Sequence, residues 1–222
     1  MLPLVDIKNA QNILIQTDNA SFANASAIYS YILTLHKKVS LSKIENIENN
    51  LKFLPWFDKL RDSVASSSDL TIVVSKESLK YFNFFKSNGI KINLKMATAL
   101  YSGILQRYNN FNSSECNGTV FAACSELISL KANYTVARQA IVNSQSLAIY
   151  RLRSILFKNL LLIENAKVAQ SHFSDEDLKA SGASMQEVYT VMRELLSLVN
   201  VSKVVLLKSD ENFKIIKTIE EM

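Results

Sequence analysis

The chain has 222 residues, 48% of them apolar, with four glycines and two prolines, and its 25 lysines and arginines exceed its 20 aspartates and glutamates by five. That balance excludes a disordered, collagenous or disulfide-built chain and suits one large or two small globular domains. No apolar run approaches a membrane span and nothing resembles a secretory leader, so the cytoplasm is the expected location. Two cysteines and two histidines leave no room for a four-cysteine zinc site or a histidine-rich centre, and no cofactor is expected.

In chain order, Ile13-Leu-Ile15 is a short apolar run of the kind a parallel sheet buries. After the polar turn from Thr17 to Asn24, residues Ala25, Ile28, Tyr29, Ile32 and Leu33 fall on one helical face. Lys37 and Lys38 are expected to close that helix against its dipole, with His36 in its last turn, before a strand at Val39 to Leu41. Asn50 to Leu60, with Trp56 beside Phe53 and Phe57, reads as a short helix over a sheet edge. Ser68 to Ser75 is a further buried strand, followed by the ring-dense Tyr81-Phe-Asn-Phe-Phe85. Two helical faces come next: Met96, Ala99, Leu100, Gly103 and Ile104, then Val120, Ala123, Cys124, Leu127 and Ile128. Cys124 is read as a small core residue and Cys116 as partly exposed. A continuous helical stretch from Thr135 to about Phe157 carries Arg138, Arg151, Arg153 and, just beyond, Lys158.

The remaining residues alternate again. Leu160 to Ile163 and Lys167 to Phe173 read as strands, with His172 on a surface or edge, and Asp175-Glu-Asp177 is an acidic run at a helix start. Ser184-Met-Gln-Glu187 is a capping box ahead of Val188, Val191, Met192, Leu195 and Leu196. Val201 to Leu207 and Phe213 to Lys217 read as paired strands. The glycines at 89, 103, 118 and 182 are scattered, so no phosphate loop is present. Asn-x-Ser/Thr sequons at Asn112, Asn117 and Asn133 carry no glycosylation claim without a secretory route.

A strand, a polar turn and a long helix in this order resemble the opening of the DHH phosphoesterases, particularly the bacterial members that degrade very short RNAs or dephosphorylate adenosine 3',5'-bisphosphate. The family's turn, His-x-Asn-Pro-Asp-x-Asp, binds two manganese ions. Laid on this chain it falls on Thr17, Asn19, Ala20, Ser21 and Ala23, and only the asparagine persists. A later strand of the family ends in a metal-binding aspartate where this chain has Ser75, and the Asp-His-His triplet is absent. Ala97-Thr-Ala-Leu-Tyr-Ser-Gly-Ile104 matches the family string before a Thr-Asp-Thr-Gly turn, but Arg107 stands in place of its aspartate. Manganese pairs need hard anionic oxygens and imidazoles; threonine, serine and alanine do not supply them, and a fixed cation repels a metal ion.

The resemblance implies an α/β protein: a degenerate DHH-like domain over 1–133 with a mainly parallel sheet flanked by helices, a helical connector over 134–158, and a smaller truncated DHHA1-like α/β domain over 159–222. It implies a pseudoenzyme, with no catalytic residue and no metal ligand, serving as a protein-interaction or structural component of a larger assembly. Thr17, Asn19, Ser21, Ser75 and Arg107 would line a vestigial cleft as candidate contacts for a ligand or partner, unless Arg107 simply pairs with Asp18 or extends to solvent. Tyr81, Phe82, Phe84, Phe85, Arg151 and Arg153 are candidates for an interaction surface toward a protein partner or a second copy of the chain. Two alternatives stand beside this reading. One is a manganese-dependent phosphoesterase acting on short RNA or nucleotide phosphates through Asp18, Asp58, Asp69 and His36. The other is a non-catalytic nucleic-acid-binding protein using the arginines of the connector.

Overall fold

The computed structural model describes residues 2–63, 68–142 and 145–220. It divides into two units, 1–144 and 145–222.

The first unit is built on a four-stranded parallel sheet of β1 (Asn12–Thr17), β2 (Lys38–Lys43), the two-residue β3 (Leu60–Arg61) and β4 (Leu70–Val73), in the order β3-β2-β1-β4. Alternation places Ile13, Ile15, Leu41 and Ile72 on the covered face, all buried. Against them lies α2 (Phe22–Thr34), buried from Phe22 through Ile32, and α4 (Leu94–Arg107), buried from Met96 through Leu105, packs on α2. Helices buried on every side occupy the middle of a core, which is where these two sit, with Asn24, Ser26 and Ser30 of α2 and Thr98 and Ser102 of α4 buried among the apolar residues. α3 (Ser78–Ser87), α5 (Gly118–Ser129) and α6 (Tyr134–Ile141) surround α4. α1 (Leu4–Asn9), which the sequence reading missed, contributes fully buried Ile7.

Glycine is required where α4 passes α2 and α3: a Cβ on Gly103 would strike Ser78 Oγ and lie 2.9 Å from Asn24 Oδ1. Asn117 and Asn133, two of the sequon asparagines, are the N-caps of α5 and α6. α2 ends at Thr34, earlier than expected, with His36 left-handed at φ 57°. Lys37 therefore does not close α2; its ammonium donates to the carbonyls of Lys8 and Ala10. Cys124 is buried and Cys116 half-buried. Burial pushes the Cys124 thiol up to about 11.

The second unit holds a four-stranded mixed sheet of β5 (Leu161–Ile163), β6 (Val168–Phe173), β7 (Lys203–Lys208) and β8 (Lys214–Glu220), in that order, with only β6 and β7 parallel. α7 (Leu147–Lys158), α8 (Asp175–Ser181) and α9 (Met185–Glu194) bury Leu152, Leu156, Val188, Val191 and Met192 with Ala169, Phe173, Val204 and Leu206 of the strands. The expected capping box, Ser184 with Glu187, opens α9, and a second one, Ser174 with Asp177, opens α8. The continuous helix expected from Thr135 to Phe157 is instead two. α6 packs on α4 in the first unit, and α7 starts afresh at the Ser146 cap in the second. His172 is half-buried in the inner strand β6 rather than at an edge, its ring against Phe213. Among the described residues no helix is long and apolar enough to cross a membrane.

Candidate functional site

The strand order reverses between β1 and β4, since the chain leaves β1 toward β2 and β3 and returns on the other side. In open parallel sheets the crevice beyond the carboxyl ends of such strands is where ligands sit. Here it is framed by Thr17 at the end of β1 and Asp18 after it, by Ser75 and Glu77 after β4, by the start of α2 and by Arg107 at the end of α4.

The turn after β1 is closed on itself. Ser21 donates to Asp18 Oδ1 twice, from its N–H at 2.8 Å and from its hydroxyl at 2.6 Å. Its oxygen in turn accepts from the Asp18 N–H at 3.1 Å. Because the Ser21 proton is spent on the carboxylate, the 2.9 Å contact between Thr17 Oγ1 and Ser21 Oγ needs Thr17 as donor, and its one proton is shared with the Asp18 carbonyl at 3.2 Å. Thr17 and Ser21 are buried, at 0% and 1% exposure. A helix N-terminus attracts anions, and the anion at α2 is the protein's own Asp18. Asn19 faces away from the crevice: its N–H donates to Glu45 Oε1 at 3.2 Å and its Oδ1 accepts from the Glu48 N–H at 2.9 Å, tying the turn to the loop after β2.

The other wall is equally engaged. Ser75 accepts from Asn24 Nδ2 at its carbonyl, 2.8 Å, and gives its N–H to the Tyr81 hydroxyl at 3.1 Å. Arg107 donates from Nε to Glu77 at 3.1 Å and from Nη2 to Glu115 at 2.6 Å. Hydrogen bonds to Glu77 and then Glu115 hold its guanidinium above its ordinary value. It therefore pairs with these two acids rather than with Asp18 or solvent. Asn24 Oδ1 and Ser78 Oγ, which both face Gly103, are buried without hydrogen-bond partners.

A two-manganese site needs several free carboxylates or imidazoles converging on one point. The crevice does not fit that requirement: Asp18 is committed to Ser21, and Glu77 and Glu115 to Arg107. Among the described residues no group of three or more histidines, cysteines, aspartates or glutamates is placed to hold a metal ion. The alternative set of Asp18, Asp58, Asp69 and His36 does not converge either. Asp69 lies at the opposite end of the sheet, accepting from the backbone of Gln11 and Asn12, and Asp58 follows Trp56 in a short 3-10 turn.

Of the ring cluster, Tyr81, Phe82 and Phe85 are core residues at 8%, 3% and 0% exposure, which corrects their reading as a surface. α3 turns them inward, where Tyr31 meets Phe85. Half-buried Phe84 and the edge of Tyr81 line a cavity of about 610 Å³ with Leu2, Ser75 and Lys80. In α7, Arg153 is held by both oxygens of Glu194 at 2.7 Å and by Gln145, so it is not a free cation; Arg151 is exposed. The residues that define the crevice and were missed are Glu77, Glu115, Glu45 and Asn24. Asp18-x-x-Ser21 was readable as a side-chain-closed turn.

No family model matches the chain, and no curated protein matches it. Among solved structures it is similar to an exopolyphosphatase-related protein from Bacteroides fragilis, with a TM-score of 0.70 and 15% identity over 95% of this chain and 79% of that one. A protein from Methanococcus jannaschii assigned as a family II inorganic pyrophosphatase aligns with a TM-score of 0.35 and 12% identity, over 89% of this chain and 83% of that one. The chain thus has the α/β fold of the Bacteroides protein, with a four-stranded parallel sheet flanked by helices and a smaller second sheet.

Proposed function

We propose that the chain is a catalytically inactive relative of the DHH phosphoesterases that serves as a protein-interaction or structural component of an assembly. The observation that carries this reading is the closed hydrogen-bond network at the strand reversal. Thr17, Asp18 and Ser21 satisfy one another, and Arg107 takes the acids Glu77 and Glu115. A ligand in the crevice would have to break these bonds. The divided connector supports the same view, because Arg153 ties α7 to α9 and so contributes to the second unit's own packing instead of to a basic surface.

The test is phosphate release from adenosine 3',5'-bisphosphate and nucleotide release from a two-residue RNA, with saturating manganese and micromolar protein. No turnover, together with no manganese-dependent rise in melting temperature, is the expected result. Metal-dependent turnover that disappears in Asp18→Asn would overturn the reading.

A further inference from the structure

The two sheets have four outer edges, and natural proteins keep such edges from pairing with other chains by making them short or charged. β3 has two residues and carries Arg61 between Lys59 and Asp62; β5 has three; β8 carries Lys214, Lys217 and Glu220. β4 has neither protection. Leu70-Thr-Ile-Val73 and the following Val74 hold no charge, proline or glycine, and among the described residues no strand lies on the side away from β1.

The Val74 N–H goes to the Gln16 carbonyl, so the alternation of a parallel ladder turns the N–H and C=O groups of Thr71 and Val73 outward. Both side chains are exposed on the uncovered sheet face, Val73 at 67%. Ser75, whose N–H is taken by Tyr81, ends the free stretch.

We propose that β4 pairs antiparallel with β4 of a second copy of this chain, about a twofold axis beside Ile72. The register is self-complementary. Centring on Ile72 sets Thr71 of each copy opposite Val73 of the other, and each such pair exchanges both backbone hydrogen bonds. Two β-branched side chains then meet on the same face, and no like charges are brought together. Four strands from each copy form one continuous sheet. The contact is small, so the dimer is weak. The pairing does not depend on the loss of catalysis, and either can fail alone.

Sedimentation equilibrium of the full chain between about 1 and 200 μM reads the mass directly. The wild type shifts from one chain to two across that range. T71K/V73K sets lysine opposite lysine and T71E/V73E sets glutamate opposite glutamate, so each remains a single chain. An equimolar mixture of the two variants recovers the dimer, because every lysine then faces a glutamate. Both positions are exposed, so circular dichroism of the variants stays that of the wild type. Amide exchange at Thr71 and Val73 in the wild type slows as concentration rises, independently of any variant. A wild type that stays single at every concentration, a dimer that survives T71K/V73K, or a mixture of folded variants that stays single would overturn the proposal.

Discussion

At the amino end of the first sheet the Asp69 carboxylate takes the N–H groups of Gln11 and Asn12 and pins the start of β4 to the start of β1. At the carboxyl end the Asp18 carboxylate takes the N–H and hydroxyl of Ser21 and pins the start of α2 to the end of β1. The amino end of a parallel sheet is where such bonds serve architecture, and the carboxyl end is where folds of this kind keep their chemistry. Here both ends use an acid in the same way. The difference lies in depth: Asp69 is exposed, whereas the Asp18 turn rests on buried Thr17 and Ser21 and is backed by Asn24 and Gly103.

Substitutions at the two ends differ in their expected effect, from the largest to the smallest. Gly103→Ala drives a methyl into Ser78 behind the carboxyl end and lowers stability by about 1–3 kcal/mol in urea melts. Ser78→Ala, which removes a buried hydroxyl without a partner, is near neutral and reduces the cost of Gly103→Ala in the double variant. Strict additivity would show that the close approach of α4 is not what the glycine serves. Asp18→Ala costs about 1 kcal/mol, as the loss of a helix-start acceptor does, and Ser21→Ala on top of it adds little because both remove the same bonds. Independent costs would break the picture of one closed turn.

Asp69 gives a smaller effect that depends on pH. Hydrogen bonds from the Asn12 and then the Gln11 backbone hold its carboxyl below the ordinary 3.8. A depressed carboxyl contributes stability above its unfolded value and loses it as pH falls through the folded one. The melting temperature of Asp69→Asn should therefore fall less steeply than that of the wild type below about pH 4. Parallel curves would remove the amino-end staple. Asn19→Ala, losing one partly exposed bond to the Glu48 N–H, should cost about 0.5 kcal/mol and leave the Asp18 turn intact.

The elements that local pattern writes were legible: β1 from Ile13 to Ile15, β4 from its β-branched run, α9 from Ser184 and Glu187. What was lost depends on residues far apart in the chain or on the direction a side chain takes. Nothing around Arg107 says that Glu77, thirty positions earlier, will reach it. Ring density from Tyr81 to Phe85 says that area must be buried, not that α3 buries it inside its own unit. The break between α6 and α7 did have a local signal, Ser146 as a cap, which continuous helical periodicity obscured. The substituted positions Thr17, Ser21, Ser75 and Arg107 could be read as unsuited to metal. The acids that occupy Ser21 and Arg107 instead could not.

The strand order has a consequence for the sequence of events in folding. β1 meets β4 through pairs such as Ile13 with Leu70, so the central joint of the first sheet closes a loop of more than fifty residues before any contact rewards it. β7 and β8 meet across a short turn, with Lys208 opposite Lys214. The second sheet can thus nucleate on a hairpin within microseconds, while the first waits for a slow, non-local closure. During that wait the uncharged β4 is the strand most open to capture by a neighbouring molecule. On a ribosome, where residues emerge from the amino end, the slow half of the protein is also the half that is made first.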